Sequence, residues 1–398
     1  MKGWAEWLGI NRATLAVLVV VGGLGLSEEI WRNFLGIYLN IRTGDVARAA
    51  GFVGLYASLA ALMEGFGYIL GGTFAHRLGP RRALAIAAVP MVLGFTILLS
   101  LHEPWAIVLG ALLLTNWDPL SLPATFAVVG AEVPQNRRTI AFSVQSVWKR
   151  LPKVLGPLIG GIVFAVGYWV NLVVAIGVLV VAVGAQLVLL DRWQAPPAGP
   201  EVGAREVLRR IPPELKSLLT AEVLIRWGDN FVRDFTALYV VGVLGRSAAE
   251  YGALASLTAL TSLVLYIPMG KWIDRAGSAR PFIGVTFGLF ALFPFALVLL
   301  PKSGLPVMTA LAIVFVLNGL REVGEPARKA AITTGLPAEI RARAVGLYWG
   351  IRSFCFFPAP LVSWWLWTRA GPEATFLCGG AIGVLGVVWF VMRVRLRG

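Results

Sequence analysis

Apolar stretches of about 20 residues recur along this chain of 398, and each is long enough to cross a hydrocarbon layer of roughly 30 Å as a helix. Hydrophobic residues make up 58% of the chain and charged ones only 14%, whereas a soluble domain carries about 25% charged residues. The stretches predict an all-α membrane protein of twelve transmembrane helices. These spans 1 to 12 run over 13–40, 50–74, 83–101, 105–129, 139–165, 168–190, 217–243, 250–272, 281–300, 306–331, 343–367 and 374–392. Glycine, proline and charge mark the breaks, as at Leu78-Gly79-Pro80, His102-Glu103-Pro104 and Gly371-Pro372-Glu373. The longest polar stretch, 191–216, places Pro196, Pro197, Pro200, Pro212 and Pro213 around Arg205, Arg209 and Arg210. It reads as a cytoplasmic linker on the membrane surface between a part covering 1–190 and a part covering 217–398.

A net charge of +14 first suggests nucleic acid. The basic residues sit in short segments between spans and form no continuous patch beside aromatics, so that partner is excluded. Their sidedness carries the information instead. Arg42, Arg48, Arg246, Lys302 and Arg369 fall in loops on one side, while the other basic residues outside the spans fall on the opposite side. Both termini and the linker are therefore expected in the cytoplasm, with the chain a multi-pass protein of the plasma (cytoplasmic) membrane and a monomer. Cys355 and Cys378 lie inside apolar spans and read as packing residues. No cofactor or metal is expected. The chain has no G-x-x-x-x-G-K-S/T loop for ATP, and no H-E-x-x-H or nucleophile elbow, so neither a pump driven by ATP nor an enzyme is expected.

The chain also repeats itself. Glu28, Arg32, Phe34 and Tyr38 align with Asp229, Arg233, Phe235 and Tyr239 at an offset of 201. Gly72, Arg77 and Gly79 align with Gly270, Arg275 and Gly277 at an offset of 198. Pro123, Pro134, Arg138, Lys149 and Pro157 align with Pro326, Pro337, Arg341, Arg352 and Pro360 at an offset of 203. Six spans is an even number, so both copies insert with the same orientation, related by an axis along the membrane normal.

The residues that carry the repeat also carry a resemblance. Gly72-Thr73-Phe74-Ala75-His76-Arg77-Leu78-Gly79-Pro80-Arg81-Arg82 resembles G-x-L-A-D-R-x-G-R-R, the loop 2–3 signature of the major facilitator superfamily. Gly270-Lys271-Trp272-Ile273-Asp274-Arg275-Ala276-Gly277 is the matching second copy. Arg137 and Arg138, with Gly156-Pro157-Leu158-Ile159-Gly160-Gly161, are similar to further family patterns. The resemblance implies two six-helix bundles related by a pseudo-two-fold axis, and secondary transport of a small molecule by alternating access. It makes Gly72, His76, Arg77, Gly79, Gly270, Asp274, Arg275 and Gly277 candidates for the conformational switch. His76 stands where the family has an aspartate that helps hold one alternating state closed. It is either a pH-sensitive substitute or an ordinary polar loop residue. The Gly-Pro-x-x-Gly-Gly core also occurs in drug–proton antiporters of the family, although Pro152 replaces one of their upstream glycines.

Charges inside the spans point to a cavity, because each costs a few kcal/mol at the bilayer centre unless sheltered. Spans 3, 6, 9 and 12 carry none between their ends, and these are the peripheral helices of the family's fold. Glu28, Glu29, Glu64 and Asp118 are the candidates for proton coupling, since a carboxylate taken out of water can load and release a proton near neutral pH. Candidates for lining the substrate cavity are Arg32, Tyr38, Lys149, Arg150, Lys153, Arg226, Asp229, Arg233, Arg321, Glu325 and Arg352. The spacing puts Glu28 with Arg32, and Asp229 with Arg233, one turn apart on one face. Lys149 and Lys153 would form a like-charged pair that needs an anion nearby. The same charges also fit structural ion pairs.

The reading that follows is a proton-coupled transporter, with efflux of amphipathic or drug-like compounds placed ahead of uptake or exchange of a small organic anion. A non-transporting receptor or scaffold is the third reading. Its partners are the substrate, protons and the lipid bilayer.

Overall fold

A computed structural model describes residues 12–115, 148–189, 204–276, 278–334 and 341–394. Every regular element among them is helical. Helices α1 (Arg12–Arg32), α2 (Leu35–Thr43), α3 (Val46–Ser100) and α4 (Pro104–Thr115) are followed by α5 (Leu151–Phe164) and α6 (Tyr168–Leu189). Then come α7 (Ala204–Arg210), α8 (Pro213–Asn230), α9 (Ala248–Ala276) and α10 (Arg280–Leu299). The chain ends with α11 (Val307–Leu320), α12 (Glu325–Thr334), α13 (Arg341–Phe356) and α14 (Ala359–Arg393). Among the described residues, six helical stretches are long and apolar enough to cross a membrane.

Several predicted spans are broken in mid-course. Span 1 breaks between α1 and α2, where the Asn33 amide donates to the Glu29 carbonyl at 2.9 Å, a side-chain bond that competes with the helical ladder. Span 7 leaves α-helical geometry after Asn230, passes through a 3-10 turn at Arg233–Phe235, and reaches a π turn at Tyr239–Val243. Span 10 breaks between α11 and α12. There the Gly324 N–H donates to Thr286 Oγ1 at 2.7 Å, and a β-carbon on Gly324 would collide with the Phe282 carbonyl. Pro326 follows at the second residue of α12, where its missing N–H is harmless. Irregular backbone at membrane depth is tolerated only where protein or a wet cavity covers it.

Two predicted breaks have different outcomes. At Gly371 the chain turns, with φ of 88°, a conformation that glycine adopts without strain. At Gly79-Pro80 no break occurs, and α3 runs for 55 residues through it. Proline removes only one intrahelical donor, and the helix-forming residues that follow carry the turn onwards. The surroundings of Gly72, His76, Arg77, Gly79 and Asp274 lie outside the description. Gly277 and Asp118 fall outside the described residues altogether.

The chain forms two compact units. Unit 1 comprises Met1–Arg42, Phe66–Pro200 and Ser247–Ala253; unit 2 comprises Thr43–Gly65, Glu201–Arg246 and Leu254–Gly398. In unit 1, Asn171 on α6 ties α1 to α5 by donating to the carbonyls of Ile30 at 2.9 Å and Gly160 at 3.1 Å. Ser27 donates to the Ala175 carbonyl at 2.8 Å. The start of α9 packs here as well: Tyr251 meets Phe34 edge-on at 6.2 Å. Gly252 touches Pro157 and Gly161 so closely that a β-carbon would collide with the Pro157 carbonyl.

Unit 2 has a core of Val207, Ile211, Leu215, Leu218, Ile225, Phe287, Tyr348 and Phe390. Val207 and Ile211 show that the linker helix α7 docks on this core, with Arg205, Arg209 and Arg210 exposed. Burying a side chain the size of Val207 stabilises the docked helix by about 1.5–3 kcal/mol.

Candidate functional site

Unit 1 holds the first group of predicted charges. Arg32 Nη1 donates to Glu28 Oε1 at 2.6 Å, the one-turn pair that the spacing predicts. Glu29 accepts from Asn33 Nδ2 at 2.9 Å, and Gly156 leaves room for its side-chain stem. Tyr38 is buried, stacks on Tyr168 with ring centres 3.6 Å apart, and its hydroxyl accepts from Arg42 Nε at 2.9 Å. Lys149 and Arg150 occupy a turn that precedes α5, both half-buried and engaged, whereas Lys153 is exposed on the helix. The like-charged pair is therefore not formed on one helical face, because the helix starts only at Leu151.

Unit 2 gathers most of the remaining charges into one ladder. Arg321 on the α11–α12 break donates to Asp229 Oδ1 at 2.7 Å, and Arg226 Nη1 donates to Asp229 Oδ2 at 3.2 Å. Arg226 also faces Glu325 at 3.8 Å. Glu325 in turn binds Arg328 through two bonds, at 3.0 and 2.7 Å. Arg328 continues to Glu222 at 2.6 Å, and Glu222 is shared with Arg352 at 3.5 Å. Tyr348 donates to the other Glu222 oxygen at 3.1 Å. Phe290 covers the upper end, with Arg226 and Arg321 over its ring at 4.7 and 4.4 Å. Charges thus alternate through seven side chains between Asp229, at the C-terminal end of α8, and Glu222, near its middle.

The ladder corrects one predicted pair. Asp229 is held by Arg321 and Arg226 rather than by Arg233. The α-helix ends at Asn230, so Arg233 is carried off that face and pairs with Asp234 at 3.4 Å. Three members were not anticipated. Glu222 lies near the start of span 7, and Arg328 near the end of span 10, where charge reads as loop charge; both are almost wholly buried. The Glu325–Arg328 spacing of three residues was the available signal. Tyr348 carries no charge and gave none.

Glu64 stands apart. It lies half-buried on α3 within unit 2, beside Gly65, whose missing side chain makes room for the Phe354 ring. Among the described acids inside the spans, Glu64 has neither a hydrogen bond nor an ion pair, while Glu28, Glu29, Glu222, Asp229, Asp234, Glu322 and Glu325 are all engaged. Of the switch candidates with described surroundings, Gly270 lies in α9 with open space beside it, and Arg275 is exposed at its end.

The chain has known relatives. The chain resembles an uncharacterized MFS-type transporter of Mycobacterium tuberculosis at 25% identity, over 49% of this chain and 46% of that protein. The chain therefore spans about half the length of that curated relative. Multidrug resistance protein MdtH of Sodalis glossinidius is 28% identical over 86% of this chain and 77% of its own length. Among solved structures, a POT family transporter in complex with 5-aminolevulinic acid shares the fold, with a TM-score of 0.78 at 14% identity, over 96% of this chain and 95% of that one. The Major Facilitator Superfamily pattern matches residues 30–244 and 235–397. The chain belongs to the Major Facilitator Superfamily.

Proposed function

We propose that this transporter couples proton movement to the outward passage of amphipathic or drug-like compounds, and that Glu64 is the residue that carries the proton. The observation behind this is the contrast between Glu64 and every other described intramembrane acid. A carboxylate locked to arginine gains little from protonation, because it would lose its ion pair. A half-buried carboxylate without a partner can take a proton and release it without breaking any contact. The named function of the MdtH relative supports the choice of amphipathic compounds.

In this account the parts 1–190 and 217–398 rock about a midplane site, joined through 191–216, with both termini in the cytoplasm. Each part has irregular backbone of its own, at 33–34 in the first and at 231–235 and 321–324 in the second, which is tolerated at membrane depth only under protein or beside a wet cavity. A second reading, uptake or exchange of a small organic anion, is favoured by the arginine-rich ladder. Proteoliposomes loaded with a pH-sensitive dye test the proposal. Addition of a transported compound should move protons in the direction opposite to the compound. Transport that leaves the internal pH unchanged would remove the proton from the mechanism, and co-directional movement would favour anion uptake.

A further inference from the structure

We infer that Arg352 receives an anionic group of the transported compound, so that the substrates are amphipathic organic anions bearing a carboxylate, sulfonate or phosphonate. This rests on the transporter reading above and adds the chemical class of its substrate.

The case begins with how unevenly the ladder is satisfied. Arg321 and Arg226 each hold an oxygen of Asp229 at 2.7 and 3.2 Å, and both are covered by Phe290. Arg328 has Glu222 at 2.6 Å and Glu325 at 2.7 Å. Among the described residues, Arg352 has only Glu222, at 3.5 Å. The oxygen it faces is the one that Arg328 already holds, and the other accepts from Tyr348. Glu222 is thus shared among two arginines and a tyrosine, and Arg352 holds it at the longest distance.

Arg352 is nevertheless 9% exposed, and its Nε is buried without a hydrogen-bond acceptor among the described residues. A buried donor left unmade costs about 1–3 kcal/mol, more when it is charged. The guanidinium turns Nη1 towards Glu222, which leaves its Nε edge for a second partner. That edge presents two parallel donors, the geometry that a carboxylate or phosphonate accepts bidentately. An anion there would complete the coordination of Arg352.

Aromatic side chains lie on and beside the helix that carries Arg352. Trp227 donates from Nε1 to the Cys355 carbonyl on α13 at 2.8 Å, and Trp349 sits half-buried one turn before Arg352. An anionic head with an aromatic or aliphatic body fits these neighbours better than a small hydrophilic ion.

Thermal-shift and tryptophan-fluorescence titrations of the purified full-length protein test the inference. The probes are 2-naphthoate, an amphipathic anion, and tetraphenylphosphonium, an amphipathic cation. Naphthoate should raise the melting temperature of the unaltered protein. Arg352→Gln should weaken its binding by roughly ten- to a hundredfold while leaving any response to the cation unchanged. Arg352→Lys keeps the charge without the planar fork and should retain a weakened naphthoate response; it carries the test if the glutamine variant does not fold. Equal naphthoate affinity in the unaltered protein and both variants overturns the inference, as does binding of the cation alone. Proteoliposome flux from the same preparation separates the two claims. Flux of a cation without anion binding sinks the anion site alone. Arg352-dependent naphthoate binding without flux of any solute sinks the transporter reading alone.

Discussion

Arg328 on α12 meets Glu222 on α8 at 2.6 Å, with side chains 5% and 1% exposed. Two full charges so far from water are kept by each other and by Glu325 and Tyr348. Losing one partner leaves the other buried and uncompensated, at a cost of about 3–5 kcal/mol. Arg328→Ala should therefore lower the melting temperature markedly. Arg328→Lys keeps a cation between Glu222 and Glu325 without the planar fork, and should cost less than Arg328→Ala. Thermal unfolding in detergent checks both, and an alanine variant as stable as the unaltered protein would show that the pair is not the stabilising element.

Asn171 acts in unit 1 as a bridge between α1 and α5. Asn171→Leu removes both donors and leaves the Ile30 and Gly160 carbonyls without them. The expected loss is about 1–3 kcal/mol, visible as a lower melting temperature and faster hydrogen exchange in α1. Unchanged exchange there would mean that apolar packing alone holds the two helices.

The docked linker helix offers a readout by proteolysis. Val207 is fully buried in the core of unit 2 while Arg209 and Arg210 are exposed. Val207→Asp would place a charge in that core, and undocking is then the cheaper outcome. Trypsin should cut at Arg209 and Arg210 faster in the variant than in the unaltered protein. Equal cleavage rates would show that α7 is already free.

Much of this was readable from the residues alone. The apolar stretches and the doubled signatures led to the superfamily, and six helical stretches among the described residues are long and apolar enough to cross a membrane. The Glu28–Arg32 pair was legible because an unbroken helix lies between those residues. The Asp229–Arg233 pair failed for the same reason in reverse, since the helix stops after Asn230 and side-chain spacing loses its meaning. Glu222 and Arg328 were hidden by their places near span ends, where burial depends on how α8, α12 and α13 pack together. Single-residue patterns do not report such tertiary cover. The quiet state of Glu64 was equally invisible, because having no partner is a property of the packed molecule.

The central claim is that Glu64 carries the coupled proton, and counterflow set against proton-driven flux tests it most directly. Glu64→Gln should still exchange labelled for unlabelled substrate across a proteoliposome membrane, since exchange needs no net proton movement. It should lose accumulation driven by a pH gradient. Loss of gradient-driven transport with counterflow intact is the predicted result; gradient-driven accumulation at the unaltered rate would contradict the account.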